Sequence, residues 1–343
     1  MAVDEGQGLT AVQVNAGQAT AATEPPPVSA PDPAAPYGQA YTPPPFGPRL
    51  KAFLANPGVE LKYRGDLRGY YKAAHRAVTW LRRRPLERLA SSVLPVDPRL
   101  VVDPAIGFRI VPPEGGWAPL EALLRRCREI AAQGAGVQRR RKRQITELVT
   151  TSDLTRDPEF LDFALEPRLL AAASAYLGEF PLLTKIAFWH SQGTDSAPDN
   201  SQLYHCDHED ARQLKVFVYV SDVDETAGPL TVVPAEVSET IRRALGYTCF
   251  TKLADERVDP LIPPGTETML LGPSGTMVLL DTSRLLHFGS RVASTDRYAV
   301  MIQYLSYTNF EMSPWPWLRR YPYAGLVRPQ DSPLQRAVLR GHP

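Results

Sequence analysis

The chain has 343 residues, 43% of them hydrophobic and 22% charged, with a formal net charge of +1. That length has room for one large core or two ordinary ones, and so balanced a charge offers no bulk field to nucleic acid or a membrane surface. No apolar run approaches a membrane span, no basic-then-apolar leader opens the chain, and Cys127, Cys206 and Cys249 are too few and scattered for a disulfide framework, so a cytoplasmic setting is expected.

The N-terminal stretch is punctuated by proline, as in "TEPPPVSAPDPAAPYGQAYTPPPFGP" (residues 23–48), which sustains neither a helix nor a sheet ladder. Residues 1–49 are therefore expected to be a disordered tail. A mostly helical region is expected over residues 50–180. Within it, residues 66–90 space their large apolar groups as a helix does and should stop or kink at Pro85. Residues 120–133 form an amphipathic helix with Leu120, Leu123, Leu124, Cys127 and Ile130 on one side. Residues 161–178 form a third helical segment, interrupted near Pro167 and ended by Gly178.

After Pro181 the pattern changes to short β-branched and aromatic runs: "LLTKIAFWHS", "LKVFVYVSDV", "LTVVP", "TMVLLD" and "RYAVMIQYLSY". Helices first and strands later predict a mainly β fold with flanking helices, built as a barrel or sandwich. The core is expected over residues 181–310, with an insert over 235–275 and a C-terminal extension over 311–343.

The chemistry gathers in two places. In extended chain His205 and Asp207 point to the same side, so one imidazole and one carboxylate can grip the same ion. Alone, a His-X-Asp triplet is common and weak evidence. A second half-site follows a later strand: His287, with Arg297 ten positions on, inside the apolar run "RYAVMIQY". Two histidines and a carboxylate make a facial triad for non-haem Fe(II), which leaves metal positions open. An arginine in an apolar strand is costly unless it meets an anion or solvent, and a guanidinium fork suits the far carboxylate of a dicarboxylate. Ser290 either supplies a second donor to that carboxylate or closes a turn.

These residues resemble the phytanoyl-CoA dioxygenase family of Fe(II)/2-oxoglutarate oxygenases over about residues 180–307. The stretch "DETAGPLTVVPAEVS" (residues 224–238) is similar to that family's Gly-Pro-Leu…Val-Pro segment, with Gly228 and Pro229 turning into a strand. Ala235, Glu236 and Val237 replace the family's Gly-Ser-His ending. The resemblance implies a double-stranded β-helix (jelly-roll) core and Fe(II) on His205, Asp207 and His287. It also implies 2-oxoglutarate on Arg297, O2 as a further co-substrate, and ascorbate as a stimulant. The implied reaction is hydroxylation of a small molecule with decarboxylation of 2-oxoglutarate to succinate. Asp207 stands where related halogenases carry a small residue, which favours hydroxylation over halogenation. The competing reading is a cupin-like metal-binding module, which needs no arginine anchor.

The neighbouring residues carry blander expectations. His208 is a pocket-edge or solvated residue, Glu209 and Asp210 are surface acids, and Arg212 pairs with them. His190 is structural, Asp281 holds the turn before His287, and Arg291 is a solvated rival to Arg297. The basic clusters at residues 81–85, 138–144 and 318–321 are read as solvated helix faces, and neither nucleic acid nor membrane is expected as a partner. The insert is expected to arch over the metal face with Tyr247, Phe250, Lys252 and Arg257 as substrate contacts. The aromatic stretch at residues 313–325 covers the barrel end or forms an oligomer contact.

Overall fold

The computed structural model describes residues 50, 53–61, 65–91, 96–133, 139–142, 145–192, 200–247, 251–291 and 293–342. The expected tail, Cys249 and Phe250 lie outside these residues.

Ten strands are assigned among them. The first five are β1 (Phe108–Val111), β2 (Arg139–Lys142), β3 (Ile145–Val149), β4 (Pro181–Ser191) and β5 (Gln213–Tyr219). The others are β6 (Thr231–Val232), β7 (Thr268–Met269), β8 (Met277–Leu280), β9 (His287–Phe288) and β10 (Arg297–Ser306). Seven of them join in the order β1-β8-β5-β10-β4-β3-β2, and the other three in the order β7-β6-β9. Every pairing is antiparallel.

Alternation along the central strands decides what faces what. In β5, Leu214, Val216 and Val218 join the large core on the helix side, while Phe217 and Tyr219 pack on the opposite face. β10 does the same, with Val300, Ile302 and Tyr304 on the helix side and Ala299 on the other. The helix-side core is completed by α3 (Ala118–Ala132), α4 (Glu159–Ala164), α5 (Pro167–Leu177) and α8 (Pro333–Arg340). The other face packs through Val278, Leu280 and Tyr219 onto Val232 of β6, which joins the two sheets in a second core. A third core lies about Tyr204, Cys206, Leu286 and Phe288, backed by Ile241 of α6 (Ala235–Ala244) and Val258 of α7 (Asp255–Val258).

Several expectations need correction. The predicted helix over residues 66–90 is two helices, α1 (Gly65–Val78) and α2 (Trp80–Ser91), and the break falls at Thr79. The His75 carbonyl accepts both the Thr79 hydroxyl (2.6 Å) and the Thr79 N–H (3.1 Å), a sharing that bends helices, whereas Pro85 is carried inside α2. The region read as helical also contributes β1, β2 and β3 to the large sheet. Within the basic run at residues 138–144, Arg139–Lys142 form an edge strand among the described residues, with Arg139 opposite Glu147 in register, and not a helix. The other two basic clusters each bury an arginine. Arg83 pairs with Glu87, and Arg319 stacks on Tyr307 (3.9 Å) while meeting His75 (2.9 Å). Both guanidinium groups are held by partners that make their burial tolerable.

None of the described insert residues is among those that line the cavity between the sheets. The insert's α6 is amphipathic and buries Ala235, Ser238 and Ile241 behind the small sheet, where α7 also packs. No helix among the described residues is long and apolar enough to cross a membrane.

Candidate metal centre and anion anchor

The two half-sites, 82 positions apart in the chain (287 − 205), meet through backbone pairing. His205 and His287 exchange both hydrogen bonds of an antiparallel bridge, each at 3.0 Å, so their side chains leave the same face. Their rings lie 4.3 Å apart, centroid to centroid. The Asp207 N–H donates to the Thr282 carbonyl (2.7 Å) and returns that carboxylate to the same side. One donor atom each from His205, Asp207 and His287 then fall within 4.8 Å of one another.

Each imidazole is oriented by its own backbone. His205 Nδ1 lies 2.8 Å from the Leu203 carbonyl and His287 Nδ1 lies 3.0 Å from the Leu285 carbonyl. A carbonyl only accepts, so Nδ1 carries the proton in both rings and Nε2 presents its lone pair. Burial lowers both histidine pKa values, helped for His205 by the charges of His287 and Lys252. Neutral imidazoles with Nε2 turned toward a carboxylate are the form a metal ion takes up. The donor set therefore fits a divalent transition metal.

Burial alone would raise the Asp207 carboxyl, but the Lys215 ammonium leads the opposing charges and holds it well below the usual carboxylate range. Lys215 is a site residue that the sequence reading passed over. It occupies the cavity face of β5 and donates from Nζ to Asp207 Oδ2. The signal was present in "LKVFVYV", where a lysine shares its side of the strand with Phe217 and Tyr219.

A cavity of about 140 Å³ opens beside the triad, and Trp189, Phe217, Leu230 and Val278 supply much of its apolar wall. Arg297 lines the same cavity. Its Nη1 donates to the Gly228 carbonyl (2.6 Å) and its Nη2 to Ser290 Oγ (2.9 Å). Among the described residues it forms no ion pair, and desolvation lowers its pKa. Ser290 has a left-handed backbone (φ 54°), alone among the described non-glycine residues, and its N–H bonds to Gly228 O (3.2 Å). Gly228 is itself at φ 57°, and a Cβ there would lie 3.0 Å from the Arg291 carbonyl. This corner is tightly built, and it sets the Ser290 hydroxyl against Arg297.

The remaining candidates sort by geometry. Arg291 is not a solvated rival: it forms a two-pronged pair with Asp255 (2.7 Å each) and lies 3.3 Å above the Phe288 ring. Asp210 is not a surface acid. It is fully buried and accepts from Lys72 Nζ and from the Ser306 N–H (3.0 Å) and hydroxyl (2.6 Å). Arg212 pairs with neither Asp210 nor Glu209; it donates to the Tyr176 carbonyl (3.2 Å) and stacks on that ring. His208 is half-buried and does not belong to the donor cluster. His190 bonds Asp296 (2.7 Å) and stacks on Tyr298. Asp281 accepts from Tyr176 OH (2.9 Å) and the Ser283 N–H (3.0 Å) at the turn before β9. Tyr247 accepts from the Cys206 N–H (2.9 Å) behind the ligand segment, and neither it nor Arg257 lines the cavity. Lys252 stands opposite His205, because Tyr204 bridges Leu253 in antiparallel register.

No family model matches the sequence, and no curated protein matches it. Among solved structures the chain is similar to the non-haem α-ketoglutarate-dependent epimerase SnoN from nogalamycin biosynthesis, at 20% identity and a TM-score of 0.41, over 66% of this chain and 84% of that one. It is also similar to HygX from Streptomyces hygroscopicus with nickel, 2-oxoglutarate and hygromycin B bound (17% identity, TM-score 0.43, 62% of this chain and 86% of that one). A third is the apo form of EctD from S. alaskensis (17% identity, TM-score 0.46, 72% of this chain and 93% of that one). At such identities and TM-scores no function transfers, so the chemistry has to rest on this chain's own residues.

Proposed function

We propose that the protein is an Fe(II)- and 2-oxoglutarate-dependent oxygenase of a small molecule, built on a double-stranded β-helix like that of the phytanoyl-CoA dioxygenase family. The observation that carries this reading is one cavity holding both a three-residue donor set and an arginine with no carboxylate partner among the described residues. A cupin-like binding module accounts for the first feature but gives no reason for the second.

His205, Asp207 and His287 would hold the iron, through Nε2 of the two imidazoles and one carboxylate oxygen. Iron(II) bound there supplies a redox centre that can accept a keto acid and O2, with ascorbate as a stimulating reductant. The protein's own part is binding and positioning. Arg297 and Ser290 would receive the far carboxylate of 2-oxoglutarate, where a guanidinium in a partly dry site makes strong charge-assisted bonds. Trp189, Phe217, Leu230 and Val278 keep water from the reacting face. The reaction we assign is hydroxylation, with 2-oxoglutarate decarboxylated to succinate.

The test is an anaerobic titration of the Fe(II) protein with 2-oxoglutarate, followed by succinate release in air across a panel of metabolites. A visible charge-transfer band and substrate-stimulated succinate support the proposal. Iron uptake with a colourless titration and no succinate sinks it and leaves the cupin-like reading.

A further inference from the structure

We infer that Lys215 is a positioning residue that restricts Asp207 to ligation through one oxygen, an inference that rests on the metal reading above. The two oxygens of Asp207 already have separate surroundings. Oδ1 is the one turned to His205, 3.9 Å from its Nε2, while Oδ2 receives the Lys215 ammonium. The backbone holds both ends of this contact. Asp207 N–H is tied to Thr282 O (2.7 Å), and Lys215 sits within β5, paired with Gln303 of β10 and Leu280 of β8. The Lys215 side chain is only 13% exposed, so it has little freedom to swing out to solvent.

An unrestrained carboxylate can give a metal ion both oxygens and so take two coordination positions. With one lone pair of Oδ2 taken by an ammonium that also repels a cation, Oδ1 is the oxygen favoured for the metal, and the second position is left to a chelating keto acid. Lys215 therefore controls how many positions the protein itself fills. A lysine that merely balanced the Asp207 charge would behave differently. Its removal would tighten divalent-metal binding by relieving repulsion, with no change in coordination.

The experiment uses Co(II) as probe, without any keto acid at first, on the full chain and on Lys215→Met and Lys215→Arg. Visible absorption and electron paramagnetic resonance report the coordination of Co(II) directly. The expected result is an altered Co(II) spectrum in the Met variant and a near wild-type spectrum in the Arg variant. Calorimetry of 2-oxoglutarate into the Co(II) proteins should then show weakening by about tenfold or more for Met, the scale on which residues behind a metal ligand usually act. Superimposable Co(II) spectra for wild type and Met overturn the proposal, even where the affinity for metal has changed. Failure of the wild-type chain to take up Co(II) strikes instead at the metal reading itself. Thermal melts establish that each variant is folded, and Lys215→Leu replaces Met if that protein does not fold.

Discussion

At the scale of single residues, the site is a set of directions imposed by backbone hydrogen bonds. The Leu203 and Leu285 carbonyls choose the histidine tautomers, and the paired exchange between His205 and His287 chooses the face. Replacing His205, Asp207 or His287 by Ala should each abolish tight Fe(II) binding in calorimetry, while His208→Ala, outside the donor set, keeps it. Equal losses at His208 would mean that the triad is wrongly drawn. Arg297→Ala should raise the dissociation constant of 2-oxoglutarate by at least about a hundredfold, because an unpaired buried carboxylate costs about 3 to 5 kcal/mol and each tenfold is about 1.4. Iron affinity should hardly move, and Arg297→Lys should recover only part of the loss, since an ammonium cannot reproduce the fork. Arg291→Ala provides the contrast. Its Asp255 pair and its stacking on Phe288 tie α7 to the loop after β9, so the cost should fall on thermal stability and leave keto-acid affinity within about tenfold.

Elements are held to one another by a buried polar knot that no local pattern announces. Lys72 of α1 reaches Asp210 and Ser306, Arg76 of α1 meets Glu179 at 3.1 Å, and Glu179 accepts from Thr308 (2.7 Å). Lys72→Met leaves the fully buried Asp210 carboxylate without its cation, so unfolding free energy from urea titration should fall by about 3 to 5 kcal/mol. A loss well under about 1 kcal/mol would show that α1 adds little to the stability of the sheet. This knot also marks where the sequence stops being legible. β4, β5, β8 and β10 could be read because each is a run of β-branched and aromatic residues whose alternation survives in the fold. β9 could not, because two residues carry no period, and β2 was hidden because four basic residues look the same on a helix and on a sheet edge. His205 and Asp207 could be picked out by their spacing together with a second half-site at His287, and Arg297 because a charge is costly inside the apolar run "RYAVMIQY". Asp210 was not, since an acid in "HEDAR" looks solvated until α1 is packed over it. Lys215 needed the register between its strand and the ligand segment, which only the folded chain supplies.

At the scale of the whole molecule, the chain passes from the large sheet to the small one at a joint between β8 and β9, and Asp281 occupies that joint. It lies fully buried between β8 and β9, accepting from Tyr176 OH of α5, from the Ser283 N–H, and from the Gln213 N–H of β5 (3.3 Å). Burial pushes its carboxyl up to about 7, against the hydrogen bonds that favour the ionised form. A carboxyl raised on folding is still protonated in the native protein at pH values where the unfolded chain has already lost the proton. Its favourable contribution is therefore complete below about pH 4 and lost as pH rises through about 7, an effect of up to about 4 kcal/mol. Asp281→Asn keeps an acceptor for the two backbone N–H groups and cannot ionise, so it should lack this slope. Urea midpoints measured between about pH 4.5 and 8 should show the Asn variant gaining on wild type as pH rises, with most of the change complete near pH 7. Parallel curves for the two proteins would mean that Asp281 is ionised in the native state throughout, with the joint held by charge-assisted bonds to Tyr176, Gln213 and Ser283 rather than by a protonated acid.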